Sequence, residues 1–194
     1  MKAKCALFLF TFISLVVISC NNQAEIDYEK QRSLEYIDSL QSDLLEIKQK
    51  LDGIDFEEIA HRKQYILSEI KLIQEAVKPE QRSEELSKIL TDYHGFFMMY
   101  ENLDKNIETI VKESEELFIQ TRTLKQSVEN GDYGKEDFKK YLKAEAKEIA
   151  QLKTKSAAIL DPVIESENMF LKRMEKLEEI SKSLKIDSPT PKAQ

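Results

Sequence analysis

A long heptad seam in the middle of this chain sets the strongest limit on its fold. Apolar or small side chains recur there in alternating steps of three and four residues, at Leu86, Ile89, Tyr93, Phe96, Tyr100, Leu103, Ile107, Ile110, Ser114, Leu117, Thr121, Leu124 and Val128. This spacing places them on one stripe of an α-helix, and its persistence favours bundle or left-handed coiled-coil packing. The seam keeps its phase through Gly95, which we therefore place inside the helix.

Helix-breaking residues divide the rest of the chain into few segments. The sequence contains only four glycines and four prolines, and it shows no alternation typical of β-strands. We predict a first helix that starts near Ala24, a second that begins at Asp55 with a capping box completed by Glu58, and a fourth that runs to about Leu184. The breaks between the helices are predicted at Asp52-Gly53, Lys78-Pro79 and Asn130–Gly134.

The two shorter helices carry seams of their own. In the first helix the apolar positions are Ile37, Leu40, Leu44, Ile47 and Leu51. In the second they are Phe56, Ile59, Ile66, Ile70, Ile73 and Val77, with Lys63 as the one polar position. Each of these helices therefore has one face to bury against neighbours.

These features predict an all-α fold, an antiparallel helical bundle of four helices in which a long coiled-coil hairpin of helices three and four extends beyond two shorter helices. The apolar stripe widens around Phe96–Tyr100 and Met169–Met174, so we expect these patches to lie at one level in one core. Helix two should fold back beside the first half of helix three and leave the hairpin two-stranded toward Tyr133. Pro162 should bend the fourth helix. Small or polar residues enter the seam of the hairpin at Ser114, Thr121, Glu145 and Ser156.

The N-terminal segment predicts export and lipid attachment. A short cationic start precedes an apolar run from Ala6 to Ile18, which is too short for a stable membrane span. It ends in Val17-Ile18-Ser19-Cys20, which resembles the lipobox of bacterial lipoproteins. The resemblance implies cleavage before Cys20 and transfer of a diacylglycerol, with acyl chains of the palmitate class, to its sulfur. A plain secretory peptide or an uncleaved anchor is the alternative.

On this reading residues 1–19 form a signal peptide, 20–185 a helical domain and 186–194 a disordered tail. Cys20 is then the single cysteine of the mature chain, so disulfides are excluded and the apolar core alone must hold the fold. The net charge of the whole chain is −7, and loss of Lys2 and Lys4 makes the mature part more negative. This balance argues against nucleic acid or anionic lipid headgroups as a main partner.

A search for chemistry in the sequence nominates no catalytic, metal or cofactor site. Glu58 and His61 match the E-x-x-H spacing of di-iron bundles, but such a site needs a second copy, and His94 has Thr91 three positions before it. We expect both histidines to be exposed. Adjacent glutamates point in different directions on a helix and make poor acid–base pairs. The sequence therefore predicts no enzyme and no cofactor.

An apolar patch and a turn residue each allow two interpretations. The Phe96–Tyr100 patch is either bundle core or a groove for an apolar ligand or partner segment. Tyr133, in the otherwise small and polar turn, is either a partner contact or a staple that folds back onto the helix ends. The partner interpretation assumes that the turn stands farthest from the lipid, about 70 Å away along a straight third helix.

These observations together lead to an expected role in the cell envelope. The mature part loosely resembles the small helical lipoproteins of Gram-negative envelopes. We expect a lipid-anchored structural or protein-interaction module with an unidentified protein partner, and a homo-oligomer is compatible with it. The residue after Cys20 is Asn21 and not the aspartate typical of lipoproteins retained in the inner membrane. This favours attachment to the periplasmic side of the outer membrane. The alternative is a chaperone-like binder of unfolded or apolar clients.

Overall fold

The computed structural model describes residues 28–132 and 136–183. Throughout these residues the fold is all-α, and four helices pack together. We name them α1 (residues 28–52), α2 (Phe56–Ala76), α3 (Glu84–Glu129) and α4 (Glu136–Ser183), with a short 3-10 turn at Pro79–Gln81 before α3. The predicted fold class is confirmed. The predicted start near Ala24, the leader and the tail from 186 lie outside the described residues.

Most of the predicted helix boundaries are confirmed. Asp55 caps α2, since its side chain accepts a hydrogen bond of 2.9 Å from the backbone N–H of Glu58. Gly95 lies inside α3 and Pro162 inside α4, so neither residue ends its helix. A Cβ atom at position 95 would meet open space, so no close contact requires a glycine there.

The start of α3 differs from the prediction. Pro79 begins only the 3-10 turn, and Arg82 then adopts an extended conformation with φ −74° and ψ 132°. The helix begins at Glu84 because Ser83 offers the cap: its hydroxyl accepts a hydrogen bond of 3.1 Å from the N–H of Leu86.

The end of α3 is a Schellman motif. Gly131 has a φ of +89°, a left-handed conformation that favours glycine. The N–H of Asp132 donates to the carbonyl of Ser127 at 2.9 Å, and that of Gly131 donates to Val128 at 3.1 Å. These bonds satisfy carbonyls that the helix end would leave free, so α3 stops here, as predicted from the Asn130–Gly134 segment.

The described residues divide into two compact units. The first unit contains residues 28–45, 115–132 and 136–151, and the second contains residues 46–114 and 152–183. Three helices, α1, α3 and α4, contribute residues to both. Each unit has its own core and is described by itself.

In the second unit α3 and α4 run antiparallel in the predicted register. The Arg173 guanidinium lies 2.6 Å from the Asp92 carboxylate, and Lys155 lies 3.2 Å from Glu113. The rings of Phe96 and Phe170 meet edge to face with centroids 5.5 Å apart. The two apolar patches therefore lie at one level, as expected.

The direction of α2 relative to the end of α1 differs from the expectation. Lys50 on α1 pairs with Asp161 at 2.8 Å, and Arg62 on α2 pairs with Glu167 at 3.3 Å. Glu46 also pairs with Lys153, so α1 runs parallel to α4. Because Lys63 pairs with Asp104 and Tyr65 meets Tyr93, α2 runs antiparallel to α3 and hence parallel to α4, so α2 does not turn back along α1. The physical reason is the short break: Gly53 and Ile54 still donate to Gln49 and Leu51, and Asp55 starts the next helix at once.

The first unit also corrects an expectation. Buried Ile37 on α1 packs with Leu124 and Val128 on α3 and with Phe138 on α4. Lys125 on α3 donates to Asp38 on α1 at 2.6 Å. This part of the hairpin is therefore three-stranded, because the seam of α1 covers it. Thr121, expected in a narrow and loose seam, is fully buried, and its hydroxyl donates to the Phe118 carbonyl.

We predict that Phe96→Ala and Phe170→Ala each lower the free energy of unfolding by about 3–5 kcal/mol, because both rings are buried in one cluster. Met98→Ala is the matched control, since its side chain is 52% exposed in the same segment. Denaturant melts of the mature chain measure all three. A loss at Met98 as large as that at Phe96 would contradict this description of the core.

Candidate functional site

The residues nominated from the sequence do not form a site in the described part of the chain. Cys20 and Tyr133 lie outside the described residues. His61 and His94 are exposed, as expected. Glu58 pairs with Arg62 one turn later, at 2.9 Å, rather than with a histidine. Within residues 28–132 and 136–183, no group of three His, Cys, Asp or Glu side chains is placed to hold a metal ion.

The most distinctive constellation is an aromatic cluster in the core of the second unit. Tyr93 of α3 lies at its centre: its ring stacks on Phe170 with centroids 6.0 Å apart and meets Tyr65 of α2 edge to face at 6.3 Å. Phe96 and Tyr100 complete the contacts to Phe170. All five rings are buried. The cluster joins α2, α3 and α4 by the offset and edge-on geometries that aromatic rings prefer.

Three hydroxyl groups of this cluster, those of Tyr65, Tyr93 and Tyr100, are buried and make no hydrogen bond of good geometry, although the side chains of Arg62 and Ser166 lie close to the Tyr100 hydroxyl. Tyr65 and Tyr93 are close enough for each to shift the pKa of the other, yet they make no hydrogen bond of good geometry. Burial raises the pKa of all three phenols above the ordinary value. They therefore stay protonated at neutral pH and cannot serve there as bases.

The chain carries ordered charges at the rim of this cluster. The Arg62 guanidinium lies 5.1 Å from the centroid of the Phe170 ring, and its nitrogens pair with Glu58 and Glu167. Lys63 pairs with both Asp104 and Glu101 of α3, and these two carboxylates raise the pKa of Lys63. Lys63, the polar position in the predicted seam, is thus a rim cation that binds α2 to α3.

Sequence reasoning missed two members of this core because it assigned the buried face of α2 too simply. Tyr65 and Glu69 are buried, whereas Phe56, predicted in the seam, is 40% exposed. The positions that face inward follow the spacing Ile59, Arg62, Ile66, Glu69 and Ile73. The steps of three and four hold, but Arg62 and Glu69 occupy two of these positions, and a search limited to apolar residues does not find charged ones. Tyr65 lies beside this stripe, one position before Ile66.

The Phe96–Tyr100 patch is divided between core and surface. Phe96 and Tyr100 are buried, Phe97 and Met99 are half-buried, and Met98 is exposed. Within α3 the patch therefore supplies core on one side and apolar surface on the other.

The first unit contains an open groove between the first turns of α1 and α4. Tyr28 and Tyr36 line it from α1, and Phe138 and Leu142 line it from α4. The start of α1 therefore lies beside the first turns of α4, which follow the hairpin turn. Residues 138–142, which follow the turn expected to stand far from the N-terminal tether, thus lie next to the start of α1.

One carboxylate in the first unit is in an unfavourable environment. Glu145 of α4 is half-buried, and one of its oxygens is buried without a hydrogen-bond partner. Burial raises the pKa of this carboxyl, and the nearby Glu148 raises it further. The predicted entry of Glu145 into the seam is consistent with this position.

The comparisons add no family or neighbour to this description. Protein-family models, curated proteins and solved structures give no match to the chain. The residues themselves must therefore carry the functional argument. In the described ranges the residues form an apolar core and a surface with many ion pairs. The buried phenols remain protonated at neutral pH.

We predict that Tyr93→Phe raises the free energy of unfolding by about 1 kcal/mol, because it removes a buried hydroxyl that makes no hydrogen bond of good geometry and keeps the ring contacts. Tyr93→Leu is the control that loses the stacking as well and should destabilise. Denaturant melts distinguish them. A clear loss of stability in Tyr93→Phe would show that the hydroxyl has a partner.

We predict that Glu145→Gln stabilises the protein at pH 7.5 and not at pH 3.5. The folded state raises the pKa of Glu145, so ionisation costs stability as pH rises from the ordinary glutamate range through the raised pKa. Below that range both states are protonated and the cost disappears. Thermal melts across pH test this, with exposed Glu165→Gln as control. An advantage of Glu145→Gln that is independent of pH would contradict the assignment.

Proposed function

We propose that this chain is a lipid-anchored protein of the cell envelope, attached through Cys20, whose helical bundle serves as a structural or protein-interaction module. The observation that carries the proposal is the leader that ends in Val17-Ile18-Ser19-Cys20. In the described part of the chain, no helix has the length and apolar character needed to cross a membrane. The residue after the cysteine, Asn21, favours the outer membrane.

The packing supports a scaffold with surfaces for other proteins. The core of the first unit joins α1, α3 and α4, and the aromatic cluster of the second unit joins α2, α3 and α4, so each unit presents the outer faces of packed helices. Large apolar side chains remain more than half exposed on these faces, namely Leu67 (52%), Met98 (52%), Ile119 (65%) and Met169 (53%). Exposed apolar side chains on rigid helices are suited to contact a protein partner.

The chaperone-like alternative has less support. It needs an open apolar seam along the protruding hairpin to hold clients. In the first unit that seam is filled by α1, because Ile37 packs onto Leu124, Val128 and Phe138. A client would have to displace a packed helix, which costs the free energy of that core.

We predict that a clickable fatty acid labels the wild-type protein in cells and does not label Cys20→Ala, because the thiol is the acceptor of the lipid. Cys5→Ala is the matched control and should be labelled like wild type, since Cys5 lies within the predicted leader. Gel fluorescence after click coupling measures the label. Labelling of Cys20→Ala at the wild-type level would refute the anchor.

Crosslinking in the envelope separates the two roles. A single stoichiometric partner supports the interaction module, whereas a broad set of unfolded proteins supports the chaperone-like alternative.

A further inference from the structure

The described tyrosines fall into two groups with opposite exposure. Tyr65, Tyr93 and Tyr100 are buried in the second unit. Tyr28, Tyr36 and Tyr141 belong to the first unit and are 67%, 47% and 65% exposed. These three lie in the first turns of α1 and α4. We call the groove lined by Tyr28, Tyr36, Phe138 and Leu142, together with Tyr141 from the same turn of α4, the tyrosine surface.

The tyrosine surface is the described surface that the shortest stretch of chain joins to Cys20. Seven residues separate Cys20 from Tyr28, so a fully extended tether spans at most about 29 Å. Tyr28 lines the same groove as Phe138 and Leu142 of α4. A lipid on Cys20 would therefore hold the starts of both helices close to the membrane.

The chemistry of the surface suits a lipid headgroup layer. Tyrosine has an apolar ring and a polar hydroxyl, and tyrosines are enriched where a membrane meets water. The charged residues lining the groove have both signs, Glu29 and Glu35 against Arg32 and Lys139. Contact with the bilayer would thus depend on the rings and would not require anionic lipid.

We propose that the tyrosine surface rests on the bilayer that holds the anchor, with Tyr28, Tyr36 and Tyr141 at headgroup level. The proposal rests on the lipid anchor at Cys20 proposed above. It assigns the lipid surface, rather than a second copy of the chain or another protein, as what covers these exposed rings. It also makes the turns that flank the hairpin loop the membrane-proximal part of the first unit.

The chain has no tryptophan, so one introduced tryptophan is a unique reporter. Tyr36→Trp places it in the tyrosine surface, and Leu45→Trp is the matched control, because its site on the same helix of the first unit is 46% exposed against 47% for Tyr36. Each lipidated full-length mature protein is purified from membranes and reconstituted in phosphatidylcholine vesicles. A fraction of the lipid carries bromine near the headgroup end of the acyl chains and quenches nearby tryptophan.

We expect Trp at position 36 to lose roughly half of its fluorescence to brominated lipid, since tryptophan settles at the headgroup level. Trp at position 45 should lose little, because nine residues of helix place it on the opposite face of α1 from position 36. Equal quenching at both positions, or none at position 36, would overturn the proposal. So would protection of position 36 from aqueous iodide without quenching by bromine, because a protein would then cover it.

The same preparations distinguish failure of the tyrosine surface proposal from failure of the lipid anchor at Cys20. If the wild-type protein takes up fatty acid and position 36 is not quenched, only the tyrosine surface proposal fails. If the wild-type protein takes up no fatty acid, the anchor fails and the tyrosine surface proposal is overturned with it. Quenching that appears only after anionic phosphatidylglycerol is added would also overturn it, because charge rather than the rings would then bring the surface to the lipid.

Discussion

The antiparallel pairing of α3 with α4 is the constraint on which the rest of the second unit depends. It is set by side chains spread along both helices, from the Lys155–Glu113 pair to the Arg173–Asp92 pair. Between these pairs, Phe170 of α4 fits among Tyr93, Phe96 and Tyr100 of α3. A shift of one helical turn would move Phe170 away from these rings and separate both ion pairs. The aromatic contacts thus select one register out of the several that a regular heptad seam would allow.

The shorter helix α2 is bound to this pair by different interactions. Tyr65 reaches Tyr93 inside the core, while Lys63 and Arg62 pair with carboxylates on α3 and α4 at the rim. Exposed ion pairs of this kind contribute little stability each, but they distinguish one orientation of the helix from its reverse. The apolar contacts supply most of the free energy that holds α2 in place. The ion pairs determine which face of α2 meets α3 and α4.

The sequence predicted what depends on local spacing and failed where packing against a third helix decides. The all-α class, the cap at Asp55, the break after α3 within Asn130–Gly134, and the shared level of Phe96 and Phe170 follow from periodicity and from the conformational limits of single residues. The packing of Ile37 onto Leu124 and Val128 could not be predicted in this way, because the apolar positions of a helix show how wide its buried stripe is but not which helix packs against it. Arg62 and Glu69 lie on the inner face of α2, and a prediction from apolar spacing alone does not identify charged residues there. The anchor and the tip at Tyr133 rest on sequence alone.

The break at Gly53–Asp55 has a consequence for how this chain can vary. An uninterrupted helix fixes the rotation of every later side chain, so that one inserted residue turns all that follow by about 100°. In the second unit, a short break and the cap at Asp55 separate the end of α1 from the start of α2, so the rotation of α2 does not depend on the number of residues in α1. Insertions or deletions at this point can be absorbed by the turn, and the two helices can drift in sequence independently. The uninterrupted α3 has no such joint, so a change of length there would rotate its core residues out of place. Length variation among descendants of this sequence should therefore concentrate at residues 53–55.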